Sequence, residues 1–345
     1  MSDDILLTPE DLAVSQNQAV RILSELDAIL LGQTAVHRLL LIGILSRGHV
    51  LLEGLPGVGK TALVKALGQL LCLDFKRIQF TPDLLPSDIL GGSILQELPS
   101  GERQMLFQPG AIFANIVLAD EINRASPKTQ SAMLEAMQER SVTLLGETRP
   151  LPEPFFVLAS QNPIELEGTY PIPEAQLDRF LFKLQVGAVD AEVLTRIITE
   201  RRRGEPPVPG WHLSREELGG LFATMGRIYL STPVANYIAR LVAASHPENS
   251  SAIPEVVRYV TYGASPRAAI ALAESARAAA LLAGRPAVGF EDVQLVAPAV
   301  FNHRVILNYQ ARLDKTTTAD ITALLLQKID PAGINWPQNM TVHRK

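Results

Sequence analysis

At 345 residues, 47% of them hydrophobic and 19% charged, the chain is long enough for two domains and too apolar for disorder. A net charge of -5 and a pI near 5.8 argue against strong non-specific affinity for nucleic acid, leaving only a local basic channel in an oligomer. The single cysteine, Cys72, excludes an intrachain disulfide and a cysteine zinc cage.

The acidic start, Met1-Ser2-Asp3-Asp4, lacks the basic and apolar parts of a secretion signal, so a cytoplasmic location is expected. Residues up to about 46 read as helical, with apolar positions spaced for amphipathic faces. The apolar run 39–45 is too short to cross a bilayer and reads as buried helix, so no membrane insertion is expected. From His49 the pattern changes, and short β-rich runs alternate with helical segments. The runs are 49–53, 74–80, 116–120, 155–160 and 182–186. They predict an α/β fold with a largely parallel, five-stranded sheet covered on both faces. Cys72, inside Leu70-Leu71-Cys72-Leu73, reads as a small core residue.

Gly54-Leu55-Pro56-Gly57-Val58-Gly59-Lys60-Thr61 fits the phosphate-loop pattern G-x-x-x-x-G-K-[ST] without a mismatch. A strand precedes it and a helix follows from Ala62, as backbone N–H groups need if they are to converge on a phosphate. Lys60 is expected to reach the β- and γ-phosphates, and the Thr61 hydroxyl to coordinate Mg²⁺. The chain therefore reads as an ATP-binding protein. Further on, the apolar run 116–119 ends in two carboxylates. In a phosphate-loop protein Asp120 would hold Mg²⁺ through water, and Glu121 would polarise the water that attacks the γ-phosphate. Asn162 ends the next strand. It reads either as an amide that orients that water or as the turn residue before Pro163, and spacing leaves both open.

Two arginines stand out. Arg179 follows the Pro-rich stretch 170–173 and precedes the last strand. Arg267 sits in a helix start, with Ser265 as cap and Pro266 at the first helical position. A cation in a first turn opposes the helix dipole, so an anionic partner would explain it. Between them, Arg201-Arg202-Arg203 and the Gly/Pro-rich stretch 204–210 read as a solvated helix end and a linker. Beyond residue 210 the chain is Ala-rich, without strand-like alternation, and reads as an all-α domain.

With these residues in place, the chain resembles the MoxR family of AAA+ ATPases over roughly residues 25–310. The resemblance is carried by the phosphate loop, Asp120-Glu121-Ile122-Asn123-Arg124, the run 128–137 and Gln161-Asn162-Pro163. Glu174-Ala175-Gln176-Leu177-Asp178-Arg179-Phe180 and Gly263-Ala264-Ser265-Pro266-Arg267 complete it. It implies an αβα core over 1–190 with a hairpin insert at about 91–108, a linker over 191–212, an all-α lid over 213–330 and a tail over 331–345. By the same resemblance Asn162 is sensor 1 and Arg267 sensor 2, acting in its own subunit or across an interface. Arg179 matches the arginine finger that reaches a neighbour's nucleotide, and Gly32-Gln33 the segment beside adenine. The family implies a homo-oligomeric ring, commonly a hexamer. It also implies a von Willebrand factor A domain partner and a protein client whose complexes it remodels, matures or activates. An MCM- or chelatase-like motor or cofactor-insertion ATPase, and an ATP-dependent assembly switch, are the competing readings.

Overall fold

Aliphatic and β-branched runs buried on both faces form the centre of the fold. The structure, a computed structural model, describes residues 7–55, 57–97, 103–163, 168–201 and 206–333. The chain divides into two compact units, Met1–Ile228 with Leu281–Pro286, and Tyr229–Ala280 with Ala287–Lys345. The first unit opens with helices α1 (Pro9–Ile29) and α2 (Thr34–Leu45), then β1 (Val50–Gly54), α3 (Lys60–Leu70) and β2 (Phe75–Gln79). Helix α4 (Pro86–Leu90), strands β3 (Gly91–Glu97), β4 (Arg103–Pro109) and β5 (Ile116–Asp120), and α5 (Pro127–Glu139) follow. Next come β6 (Ser141–Leu144), β7 (Glu147–Pro150), β8 (Phe156–Gln161), α6 (Glu174–Leu177), β9 (Phe182–Val186), α7 (Ala191–Glu200) and α8 (Arg215–Gly226).

Among the described residues, β2-β5-β8-β1-β9 form one parallel sheet in that order. Every residue of β5 is buried, as is β8 up to its last residue, which is why these strands read as continuous apolar runs. The five expected strands are present, each within a residue of its expected bounds. The expected insert is the antiparallel hairpin β3–β4. A second hairpin, β6–β7, was not expected. Leu145 (φ 52°) and Gly146 (φ 82°) form its two-residue loop, in the left-handed conformations that suit strand twist.

Two expectations change in this unit. Cys72 is exposed: α3 ends at Leu70, Leu71 and Leu73 take the buried places, and Cys72 turns outward at φ 52°. The helical domain begins later than residue 213. Leu213 is fully buried and its N–H donates to the Leu70 carbonyl (2.8 Å), which brings the chain back to the first unit. Ser214 then caps α8 in a reciprocal pair with Glu217, and α8 packs on α1 and α2. The helical stretch expected after Asp190 is α7, which takes up the first part of the expected linker; Arg202, Arg203, Gly204 and Glu205 lie outside the described residues.

The second unit comprises α9 (Thr232–Ala244), α10 (Pro254–Tyr259), β10 (Val260–Tyr262), α11 (Pro266–Leu282) and α12 (Phe290–Phe301). It closes with β11 (Ile306–Leu307), α13 (Tyr309–Leu313) and α14 (Thr318–Lys328). It is not purely helical, because β10 and β11 form a short antiparallel ribbon. The β-branched and aromatic run Val260-Thr261-Tyr262 favours it, a local signal masked by the alanines around it. Arg304 donates to the Val300 carbonyl (2.9 Å), satisfying an acceptor in the last turn of α12. Most of the expected tail, from residue 334, lies outside the described residues.

His49 ties the sheet to α5. Its Nδ1 accepts from the Val157 N–H (2.9 Å) and its Nε2 donates to the Met137 carbonyl (3.1 Å), a pattern that fits only the neutral ring. Burial pushes its pKa down from 6.5 to about 4. The unfolded chain therefore binds a proton that the fold refuses, and stability declines as pH falls from 6.5 to about 4. The loss should total about 3 kcal/mol. Urea unfolding of wild type and His49→Gln across that window should show a shallower pH slope in the variant. Equal slopes would contradict this role.

Candidate nucleotide site

The phosphate loop leaves β1 and enters α3 through Gly57 (φ 81°) and Gly59 (φ 88°), conformations that side chains rarely adopt. Gly59 is the N-cap of α3 and gives no side-chain cap, so the first N–H groups of α3 are left to an anion. Pro56 lies outside the described residues. Lys60 donates through Nζ to the Gly54 carbonyl at 2.6 Å. Burial lowers its pKa, while the charges of Asp120 and Glu121 act the other way and favour the ammonium form.

Asp120 ends β5 with its carboxylate nearly buried. Ser160 Oγ, on β8, donates to its Oδ1 at 2.5 Å. Arg77, on β2, reaches its Oδ2 through Nε (3.0 Å) and Nη2 (2.5 Å). Glu121 adopts the left-handed region (φ 56°, ψ 49°), uncommon for a residue with a side chain. Its N–H donates to the same Ser160 hydroxyl at 2.9 Å, so one buried oxygen holds both the strand end and the turn. Glu121 Oε2 accepts from Gln79 Nε2 and from Arg124 Nη1, each at 3.0 Å.

Lys60, Thr61, Asp120, Glu121 and the buried Asn162 line a cavity of about 390 Å³, together with Arg77 and Gln79. Among the described residues no cluster of three or more His, Cys, Asp or Glu could cage a metal ion. The donor set here is a hydroxyl and a carboxylate, both hard oxygens, beside a phosphate loop. That suits Mg²⁺, which keeps several waters and takes the rest of its shell from phosphates.

A second cavity of about 470 Å³ adjoins the first and shares Gly57, Gly59 and Ala62 with it. Its walls are aliphatic, with Leu30, Leu31 and Val58 joined by Leu194 and Ile197 of α7, as a planar base requires. Gln33 also lines it, its Nε2 donating to the Gly187 carbonyl at 2.8 Å. Gly32 (φ 83°) lets the chain pass α7, where a Cβ would lie 2.9 Å from a Val193 methyl. Together the two cavities offer a polar end for phosphates and an apolar slot for a base.

Not every expected residue is gathered here. Arg179 is half-buried after α6 and lines neither cavity of its own chain. Arg267 is the exposed second residue of α11, in the second unit. Sequence reasoning does not find Arg77, Gln79 and Ser160, or the contribution of Leu194 and Ile197 of α7 to the apolar slot. The alternating polar residues Arg77 and Gln79, inside a strand expected to be covered, were the available signal.

A phosphate loop at the carboxyl ends of a parallel sheet, faced by strand-end carboxylates, defines a phosphate-loop ATPase of the αβα class. Residues 49–182 match the ATPase family associated with various cellular activities (AAA), and residues 256–324 match the AAA lid domain. Chaperone MoxR1 of Mycobacterium tuberculosis is 41% identical over 326 residues, 94% of this chain and 85% of that protein. Protein MoxR of Paracoccus denitrificans is 33% identical over 320 residues, 86% of this chain and 92% of that protein. A crystal structure of a protein from Cytophaga hutchinsonii superposes with a TM-score of 0.83 at 39% identity, covering 93% of this chain and 97% of that one. The chain belongs to the MoxR family of AAA+ ATPases, and it is an ATPase.

The Ser160 hydroxyl carries a directed test. Ser160→Ala should lower kcat for ATP roughly tenfold with little change in KM, because it releases groups needed at turnover. Ser160→Thr should restore most of the rate. A wild-type kcat in Ser160→Ala would show that strand geometry alone places the two carboxylates.

Proposed function

We propose that this ATPase works as a homo-oligomeric ring, commonly a hexamer, in the cytoplasm, and couples ATP turnover to chaperone-like remodelling of partner protein complexes. The phosphate loop, with Lys60 and the first N–H groups of α3, binds the β- and γ-phosphates. Thr61 and Asp120 hold Mg²⁺, which neutralises phosphate charge. Glu121 and Asn162 orient the attacking water, and Leu31, Gly32 and Gln33 form the base end. Arg179 of a neighbouring subunit supplies the cation that the transition state needs. Arg267, from its own or an adjacent subunit, adds a second guanidinium. The observation that carries this reading is one cavity lined by Lys60, Thr61, Asp120, Glu121 and Asn162 while Arg179 lies outside it.

The remodelling role is supported by the name of a relative, Chaperone MoxR1. The partner this reading assigns is a protein with a von Willebrand factor A domain, acting with a protein client. No helix among the described residues is long and apolar enough to cross a membrane.

Glu121→Gln tests the coupling. Removing the water-orienting carboxylate should slow hydrolysis by on the order of 10²-fold or more while leaving ATP bound. Affinity capture with this variant, read by mass spectrometry, should retain a von Willebrand factor A domain protein with ATP and release it with ADP. The same proteins held equally in both nucleotides would contradict the remodelling cycle.

A further inference from the structure

Both oxygens of the Asp120 carboxylate are engaged, and the two partners differ in kind. Oδ1 is held by Ser160, a buried hydroxyl on the next strand whose position is fixed by the sheet. Oδ2 is held by Arg77, whose side chain is 47% exposed where that of Asp120 is only 11% exposed. Nη2 of Arg77 also donates to Gln79 Oε1 at 2.5 Å. A carboxylate this buried, next to a second one at Glu121, is costly unless a cation balances it. The ammonium of Lys60 lies in the same cavity and its charge also acts on Asp120 and Glu121, but its hydrogen bond goes to the Gly54 carbonyl, so Arg77 is the cation bonded to Asp120.

The Arg77 guanidinium thus competes for the Asp120 carboxylate with the hydrated Mg²⁺ that this reading assigns to it, and 47% of the Arg77 side chain is exposed, which leaves it room to move away. We propose that Arg77 is an internal counter-cation that holds Asp120 before Mg²⁺ arrives, yields it on loading, and so sets the Mg²⁺ concentration at which nucleotide binds. This rests on the assignment of Mg²⁺ to Thr61 and Asp120. Arg77 is a positioning residue in this account, acting through Asp120.

The sign of its effect separates this role from the obvious alternative. If Arg77 competes with the metal, removing its charge makes Mg²⁺ binding easier. If it is a phosphate ligand, removing its charge weakens the nucleotide and raises the Mg²⁺ requirement. The experiment is a Mg²⁺ titration of the full chain with a fluorescent, non-hydrolysable ATP analogue, reading the Mg²⁺ concentration at half-saturation. Arg77→Met should lower that midpoint by about threefold to tenfold, the scale of a partly exposed ion pair. Arg77→Lys, which keeps the charge, should stay near wild type. An unchanged or raised midpoint in Arg77→Met overturns the proposal, as does an equal drop in Arg77→Lys. Wild-type binding indifferent to Mg²⁺ would instead remove the metal assignment itself, a separate failure.

Discussion

The register of the central strands is the constraint on which the site depends. Gln79 of β2 pairs with Asp120 of β5, Ala119 with Ala159, and Ser160 of β8 with Leu52 of β1. One row across the sheet therefore carries Gln79, Asp120 and Ser160 to the same end, where β1 opens into the phosphate loop. A slip of one residue between β5 and β8 would turn the Asp120 carboxylate and the Ser160 hydroxyl to opposite faces. The bond between them and the supported turn at Glu121 would both be lost.

Charge balance is the second constraint. Asp120 pairs with Arg77 and Glu121 with Arg124, while Lys60 donates to a backbone carbonyl. Arg77 and Arg124 are bonded to carboxylates, which leaves Lys60 as the cation of this cavity that the proposed function assigns to the phosphates. The charge that develops during phosphoryl transfer calls for further cations, for which the proposed function draws on Mg²⁺ and on Arg179 of a neighbouring chain. Incompleteness of the site within one chain and assembly of several chains are, in this account, one property.

Much of this was legible in the sequence because it depends on local chemistry. The phosphate loop is contiguous, its glycines answer to backbone angles, and strands buried on both faces announce themselves as unbroken apolar runs. Asp120 and Glu121 were legible because they end such a run. Ser160 was not: a serine in a strand carries no sign that its hydroxyl meets a carboxylate 40 residues away. Arg77 was missed for the same reason, since its meaning comes from its neighbour on β5. The boundary near residue 210 misled because Gly and Pro mark a loop without saying where the chain returns. Burial of Leu213 against the first unit decides that, and it is a tertiary fact.

The central claim is that each active site takes Glu121 from one chain and Arg179 from another. Mixing two inactive variants, Arg179→Ala and Glu121→Gln, and measuring ATP hydrolysis tests it most directly. Where an Arg179→Ala subunit receives the intact arginine of a Glu121→Gln neighbour, a complete site forms. The account predicts that the mixture regains a substantial fraction of wild-type activity that neither variant shows alone. A mixture as inactive as its components, although the subunits co-assemble, would contradict it.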